Sequence, residues 1–149
     1  MKILATNRIA NYNYFILETF EAGVVLEGRE VKSLRAGKLD LKDSFVLITS
    51  SDEMIVKNMY IAFYEKAQGS HLDDRRDRKL LMHKNQISKL RTKVQQKGLT
   101  LIPLKVYLKD KYVKIEVGLA KGKHTYDKKD TLIEKDKLRD AQRELKNQV

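Results

Sequence analysis

The sequence contains no cysteine, which excludes disulfides and thiolate-bound zinc and fits a reducing compartment. It also lacks a phosphate-cradling glycine-rich loop, a G-x-S-x-G, an H-E-x-x-H and an RNP-type aromatic motif. The histidines do not fill the gap. His83 and His124 stand far apart, and His71 is followed by Asp73 and Asp74 in a polar loop where adjacent carboxylates rarely converge on one ion. No catalytic residue, cofactor or metal is therefore expected, and a metal-dependent nuclease is the weaker alternative. Aromatic residues make up only 7% of the chain, too few for the stacking platforms of a general single-strand binder. The opening MKILATNRIANYNYF lacks the apolar run of about 7 to 15 residues that a signal peptide needs, and no segment approaches transmembrane length. A cytoplasmic protein without a membrane partner is the expectation.

What is present is charge and a core. The chain has 149 residues, 42% of them hydrophobic, which suits one domain with a packed interior. Lys and Arg number 31 against 20 Asp and Glu, a net charge of +11. A surplus of that size attracts polyanions, and nucleic acid is the leading candidate.

Hydrophobic alternation marks the strands. In TLIPLKVYLK (100–109) and YVKIEVGLA (112–120) apolar residues recur at every second position, with a polar break at Lys109, Asp110 and Lys111 between them. This predicts a hairpin with one core face and one face presenting Lys105, Lys109 and Lys114 beside Tyr107 and Tyr112. Further strands are predicted over 12–20 and 23–27, linked tightly through Glu21, Ala22 and Gly23, and over 43–49 and 54–64. GREVKSLRAGK (28–38) reads as a short helix with Val31 and Leu34 on one face, Lys32 and Arg35 on the other as candidate RNA-binding cations, and Gly37 as its stop. A longer helix spans 84–97, with Ile87, Leu90 and Val94 as its buried stripe and Gly98 closing it.

The resulting order, β-β-α-β-β-α-β-β, is mainly β with accessory helices and predicts an OB-like antiparallel barrel over residues 1–120. Two stretches stand outside it. The loop 65–79 is too polar to bury, and its Arg76, Arg78 and Lys79 have the donors to bind phosphate; a solvated, self-neutralised loop is the equal alternative. From residue 121 a basic tail is expected. Residues 121–129 hold four lysines against one aspartate, with Tyr126 the one aromatic. Residues 130–149 balance five acids with five bases over a thin Leu138, Ala141, Leu145 stripe. Such a tail is disordered alone and helical on a partner.

At these residues the sequence resembles the SsrA-binding family, the small protein partner of transfer-messenger RNA (tmRNA) in bacterial ribosome rescue. The matching stretches are YNYFILETFEAG, GREVKSLRAGKLDLKDSFV, RDRKLLMHKNQISKL, GLTLIPLKVYLKDKYVKIEVGLAKGK and YDKKDTLIEKD, in order from about Asn7 to Lys137. The resemblance implies an OB-like barrel that acts as a monomer and binds the tRNA-like domain of tmRNA. It implies delivery of that RNA to the stalled 70S ribosome, where the tail enters the decoding centre of 16S rRNA and the empty mRNA channel and folds as a helix. Matched position by position, Asn7, Glu21, Leu81 and Lys114 are implied to bind tmRNA. Gly122, Tyr126, Asp127, Lys128 and Lys129 are implied to act on the ribosome, with Lys121 and Lys123 beside them. The chain departs from the family pattern at Asp74, where proline is common, at His124 and Thr125, and at Lys129, where arginine is common. A ribosomal structural protein remains the alternative within RNA binding.

Overall fold

The computed structural model describes residues 1–62 and 73–123. In chain order its elements are β1 (Lys2–Thr6), α1 (Ala10–Asn13), β2 (Tyr14–Val24), α2 (Gly28–Arg35), β3 (Leu39–Asp40), β4 (Phe45–Ile48), β5 (Met54–Lys57), β6 (Tyr60–Ile61), β7 (Arg78–Leu81), α3 (Lys84–Lys97), β8 (Thr100–Lys109) and β9 (Tyr112–Gly122). Six strands close a ring in the order β8, β4, β5, β7, β2, β9 and back to β8, each pair antiparallel. β1 adds outside β8, and β3 pairs with β6 alone. This is the antiparallel barrel that the strand pattern predicts.

Closure is uneven. β9 is laddered along its length to β8 on one side and β2 on the other. By contrast, β4 meets β8 through Val46 and Leu101 alone, and β2 meets β7 only at Gly23–Leu81 and Val24–Leu80. The interior is filled from all sides by Leu34, Met54, Val56, Met59, Leu80, Ile87, Leu90, Val106, Ile115 and Val117, which are buried together. Burial of such side chains contributes roughly 1.5–3 kcal/mol each and drives the closure.

Local chemistry sets the helix ends. Glu27 and Glu30 form a reciprocal capping box at the start of α2, and the Glu27 N–H donates to Glu30 Oε1 at 2.9 Å. Gly37 and Gly98 follow α2 and α3 with φ of +74° and +61°, the left-handed stop that glycine adopts without strain.

Several expectations are corrected. In place of two strands over 12–20 and 23–27 there is one, β2 (Tyr14–Val24), preceded by the short helix α1, because Glu21, Ala22 and Gly23 pair with Glu116, Ile115 and Lys114 instead of turning. The segment 54–64 breaks after Lys57, where Asn58 takes φ +62°. β1, α1 and β7 were not anticipated. The alternation of β8 slips at a bulge between Pro103 and Lys105, so both Ile102 and Pro103 are buried, as are Val106 and Tyr107. Tyr107, expected among the presented lysines, is only 6% exposed.

β9 continues through Lys121 and Gly122, which pair with Phe15 and Tyr14, so the ordered ladder passes the predicted boundary at 120. Lys123 is also held. Its N–H donates to the Asn13 carbonyl at 2.9 Å, its Nζ donates to the Asn11 carbonyl at 2.7 Å, and its ammonium lies 4.8 Å from the Phe15 ring centre. His124, Thr125, Tyr126, Asp127, Lys128, Lys129 and the remainder of the tail lie outside the described residues, as does His71.

Candidate nucleic-acid interface

Strand pairing gathers residues that are remote in sequence. Gly23 on β2 lies opposite both Leu81 on β7 and Lys114 on β9. Together with Glu21, Met82, His83 and Gln86 these residues line an open depression of about 360 Å³ on the outside of the barrel. It sits over the thin β2–β7 seam, where Leu81 is 52% exposed. Gly23 leaves the floor of the depression bare between Leu81 and Lys114: a Cβ there would come into ordinary contact with the Leu81 side chain at 3.4 Å and the Lys114 ammonium at 3.8 Å.

A brace crosses one rim of the depression. Tyr107 leaves β8 and donates its hydroxyl to Glu21 Oε2 on β2 at 2.5 Å, spanning the intervening β9. Lys109 Nζ approaches Glu21 Oε1 at 3.6 Å. The Tyr107 hydrogen bond, joined by the positive charge of Lys109, holds the Glu21 carboxyl below its ordinary value although partial desolvation opposes it. Burial and the neighbouring carboxylate push the Tyr107 phenol well above its ordinary value. Glu21 is thus an anion with fixed orientation, able to accept hydrogen bonds from base amino groups. Lys114 offers a phosphate-seeking ammonium 5.9 Å from the Tyr112 ring centre.

The other predicted residues divide by partner. Lys105 faces Glu116 at 3.8 Å across the β8–β9 ladder. Lys32 and Arg35 project from the exposed side of α2, and Lys79 is exposed on β7. Asn7 joins β1 to α1, where its N–H donates to the Leu104 carbonyl at 2.8 Å and its Nδ2 to the Pro103 carbonyl at 3.1 Å. Its amide donor therefore fixes the barrel end. Asn7 lines a separate depression with Thr6, Arg8, Ile9, Asp40 and Lys42, away from Glu21, Leu81 and Lys114.

Two arginines offered as phosphate donors, or else as part of a solvated loop, are engaged inside the protein. Arg78 is 1% exposed, and its Nε donates to Glu30 Oε2 at 2.6 Å. Its remaining guanidinium nitrogens donate to the Met59, Arg76 and Asp74 carbonyls. Arg76 pairs with the same Glu30 carboxylate through both Nε and a terminal nitrogen. Burial alone would raise Glu30; the hydrogen bonds from Arg76, the Glu27 N–H and Arg78 outweigh it and keep the carboxyl low. A guanidinium with its donors spent inside the protein cannot also meet phosphate, so Arg78 leaves the binding set. Among the described residues no three His, Asp or Glu side chains are grouped as metal ligands.

Sequence reasoning missed Met82, His83 and Gln86 as walls of the depression and Tyr107 as the brace. Alternation already places Tyr107 on the same strand face as Lys105 and Lys109; its reach to Glu21 depends on β9 lying between β8 and β2, which the sequence does not display.

Comparison with known proteins places this geometry. The family model described as SmpB protein matches residues 4–147. An SsrA-binding protein of Persephonella marina is 51% identical over 149 residues, covering 100% of this chain and 97% of that protein. One of Lachnoclostridium phytofermentans is 50% identical over 146 residues, covering 98% and 94%. A chain of the solved structure "tmRNA-SmpB: a journey to the center of the bacterial ribosome" is 51% identical, with a TM-score of 0.67 over 81% of this chain and 85% of that one.

Proposed function

This chain belongs to the SmpB family, and we propose on that premise that it is the RNA-binding factor of trans-translation in the bacterial cytoplasm. It binds the tRNA-like domain of tmRNA on the barrel and carries it to stalled 70S ribosomes, so that the stalled peptide is tagged and the ribosome released. The observation that carries this reading is the likeness in sequence along almost the whole chain to SsrA-binding proteins, joined by likeness in sequence and fold over 81% of it to a chain of the tmRNA–SmpB structure. Glu21, Leu81 and Lys114 supply the RNA contact in the depression: one oriented acceptor, one apolar surface for a sugar or base, one phosphate-seeking cation. The role is binding and delivery rather than catalysis.

The tail does a separate job. Residues 124–149 enter the decoding centre and the vacant mRNA channel and fold there as a helix, which lets the complex sense that no message is present. Lys121, Gly122 and Lys123 belong to the barrel side of that division, since β9 and its contacts hold them.

Truncation after Lys123 tests both halves of the reading. It keeps every described strand pair, so affinity for the tRNA-like domain should be unchanged while tagging of stalled chains is abolished. Loss of RNA affinity in step with tagging would refute the division of labour. A competition between the tRNA-like domain, ordinary tRNA and an unstructured RNA over a salt series tests the barrel half. Equal affinities collapsing together with salt would reduce the interface to a generic basic surface.

A further inference from the structure

Helix α3, KNQISKLRTKVQQK, carries five cations and no acid in 14 residues. Its apolar stripe is spent on the core, where Ile87 and Leu90 are buried. Asn85, Lys89, Thr92 and Gln96 fall about one turn apart on the opposite, exposed side, with Lys84 and Lys97 exposed at the two ends. Two of the cations are engaged. Arg91 pairs with Asp52 at 3.1 Å and donates to the Ser50 carbonyl at 2.8 Å, and Lys93 meets Glu18 at 3.3 Å. Among the described residues Lys84, Lys89 and Lys97 have no ion-pair partner, although Glu53 shares a surface depression with Lys84 and Lys79.

The position of the helix gives this charge a use. Gln86, in its first turn, lines the same depression as Glu21, Gly23, Leu81 and Lys114. Lys93, seven residues later, reaches Glu18 on β2. The helix therefore leaves the depression and follows β2, and Lys84 to Lys97 spans about 20 Å along the axis. A polyanion seated over Lys114 meets a row of amide, hydroxyl and ammonium groups with no carboxylate on the helix to repel it.

We infer that the exposed side of α3 is a second phosphate-backbone contact for the same RNA that occupies the depression, with Lys84, Lys89 and Lys97 as its cations. The inference rests on the barrel's binding of the tRNA-like domain and extends its footprint from the strands to the helix. Charge complementarity and continuity with the depression select that RNA as the occupant. The contact reads backbone rather than base, so it raises affinity and salt dependence and fixes how the RNA lies across the barrel.

The test compares full-length variants on the tRNA-like domain of tmRNA over a salt series. Lys84→Gln/Lys89→Gln/Lys97→Gln retains helix-forming residues at all three sites, and unchanged helicity and thermal midpoint verify its fold. Lys2→Gln/Lys38→Gln/Lys111→Gln removes the same charge from exposed positions elsewhere. The helix variant should flatten the log-affinity against log-salt slope by about 2 to 3 units, against little change in the control. Equal slopes for the two triple variants would overturn the inference, as would a defect that appears only in binding to ribosomes and not to the free RNA. The underlying reading fails differently: the unaltered protein would then show no preference for the tRNA-like domain over an unstructured RNA of equal length.

Discussion

The β8–β9 hairpin and helix α3 both drew their prominence from lysine, yet the fold treats the two regions differently. Lys105 and Lys109 on the hairpin face Glu116 and Glu21, so of the three lysines presented there only Lys114 is without a carboxylate within ion-pairing reach among the described residues. On α3 five cations face two carboxylates, an excess of three. A cation opposite an acid has part of its field cancelled, and its partner must be displaced before a phosphate can take its place. The difference teaches that a count of lysines along a strand does not locate the field; what stands across the ladder does. It also gives the two regions separate tasks. On the proposed reading the hairpin, with Glu21 oriented by Tyr107, would serve position and selectivity, and the helix attraction.

The comparison breaks most violently where a cation has been taken wholly inside. Arg78→Met should destabilise the protein by about 3 kcal/mol, because Glu30 is left buried with Arg76 as its one cation and several backbone carbonyls lose their donor. Thermal or denaturant unfolding measures this directly. Glu30→Leu together with Arg78→Met should cost less than the sum of the two single changes, since the two buried charges go together and the part-exposed Arg76 turns to solvent. The folded fraction of Arg78→Met should keep the salt slope of RNA binding unaltered; a flatter slope would return Arg78 to the interface.

Lys114→Ala comes next. It should weaken binding of the tRNA-like domain by about 1 kcal/mol and flatten the salt slope by about one unit, as expected for one phosphate contact. Lys105→Ala and Lys109→Ala should each flatten it by less, because their carboxylate partners already offset them. Equal effects from all three lysines would show that the cross-strand pairs are too weak to matter and would remove the contrast between hairpin and helix.

How much of this was legible in the sequence follows from what each feature depends on. α3 was readable to its ends, since the stripe of Ile87, Leu90 and Val94 and the stop at Gly98 are local signals. The hairpin was readable in its two strands and its turn for the same reason. Its faces were not, because the bulge after Pro103 and the burial of Tyr107 depend on the closed barrel. The single strand β2 was not: Glu21, Ala22 and Gly23 have turn composition, and only pairing to β9 keeps them extended. The burial of Arg78 was hidden because its partner Glu30 lies 48 residues earlier on a different element. Lys114 was placed on its outward face by alternation alone, but its meeting with Glu21 and Leu81 requires two separate ladders, β2 with β7 and β2 with β9. The resemblance put these residues in one functional set; the strand pairings supply the physical reason they can act together.

The smallest effect concerns the brace itself. Glu21 sits below its ordinary value of 4.5, first because the Tyr107 hydroxyl donates to it. A carboxyl depressed in the folded state adds stability above its unfolded pKa and loses that contribution as pH falls through the folded value. Acidification below about 4.5 should therefore loosen the link between β2 and β8 before the barrel unfolds. Tyr107→Phe removes the donor while keeping the ring against β9, so the Glu21 midpoint should rise toward the ordinary carboxylate value, as read by carboxyl NMR chemical shifts. RNA affinity at neutral pH should fall only slightly, because Glu21 stays ionised and loses orientation rather than charge. That outcome separates two roles that Lys109 could confuse. If Lys109→Ala moved the Glu21 midpoint further than Tyr107→Phe does, attraction would be holding the carboxylate in place, and the hairpin would work like the helix after all.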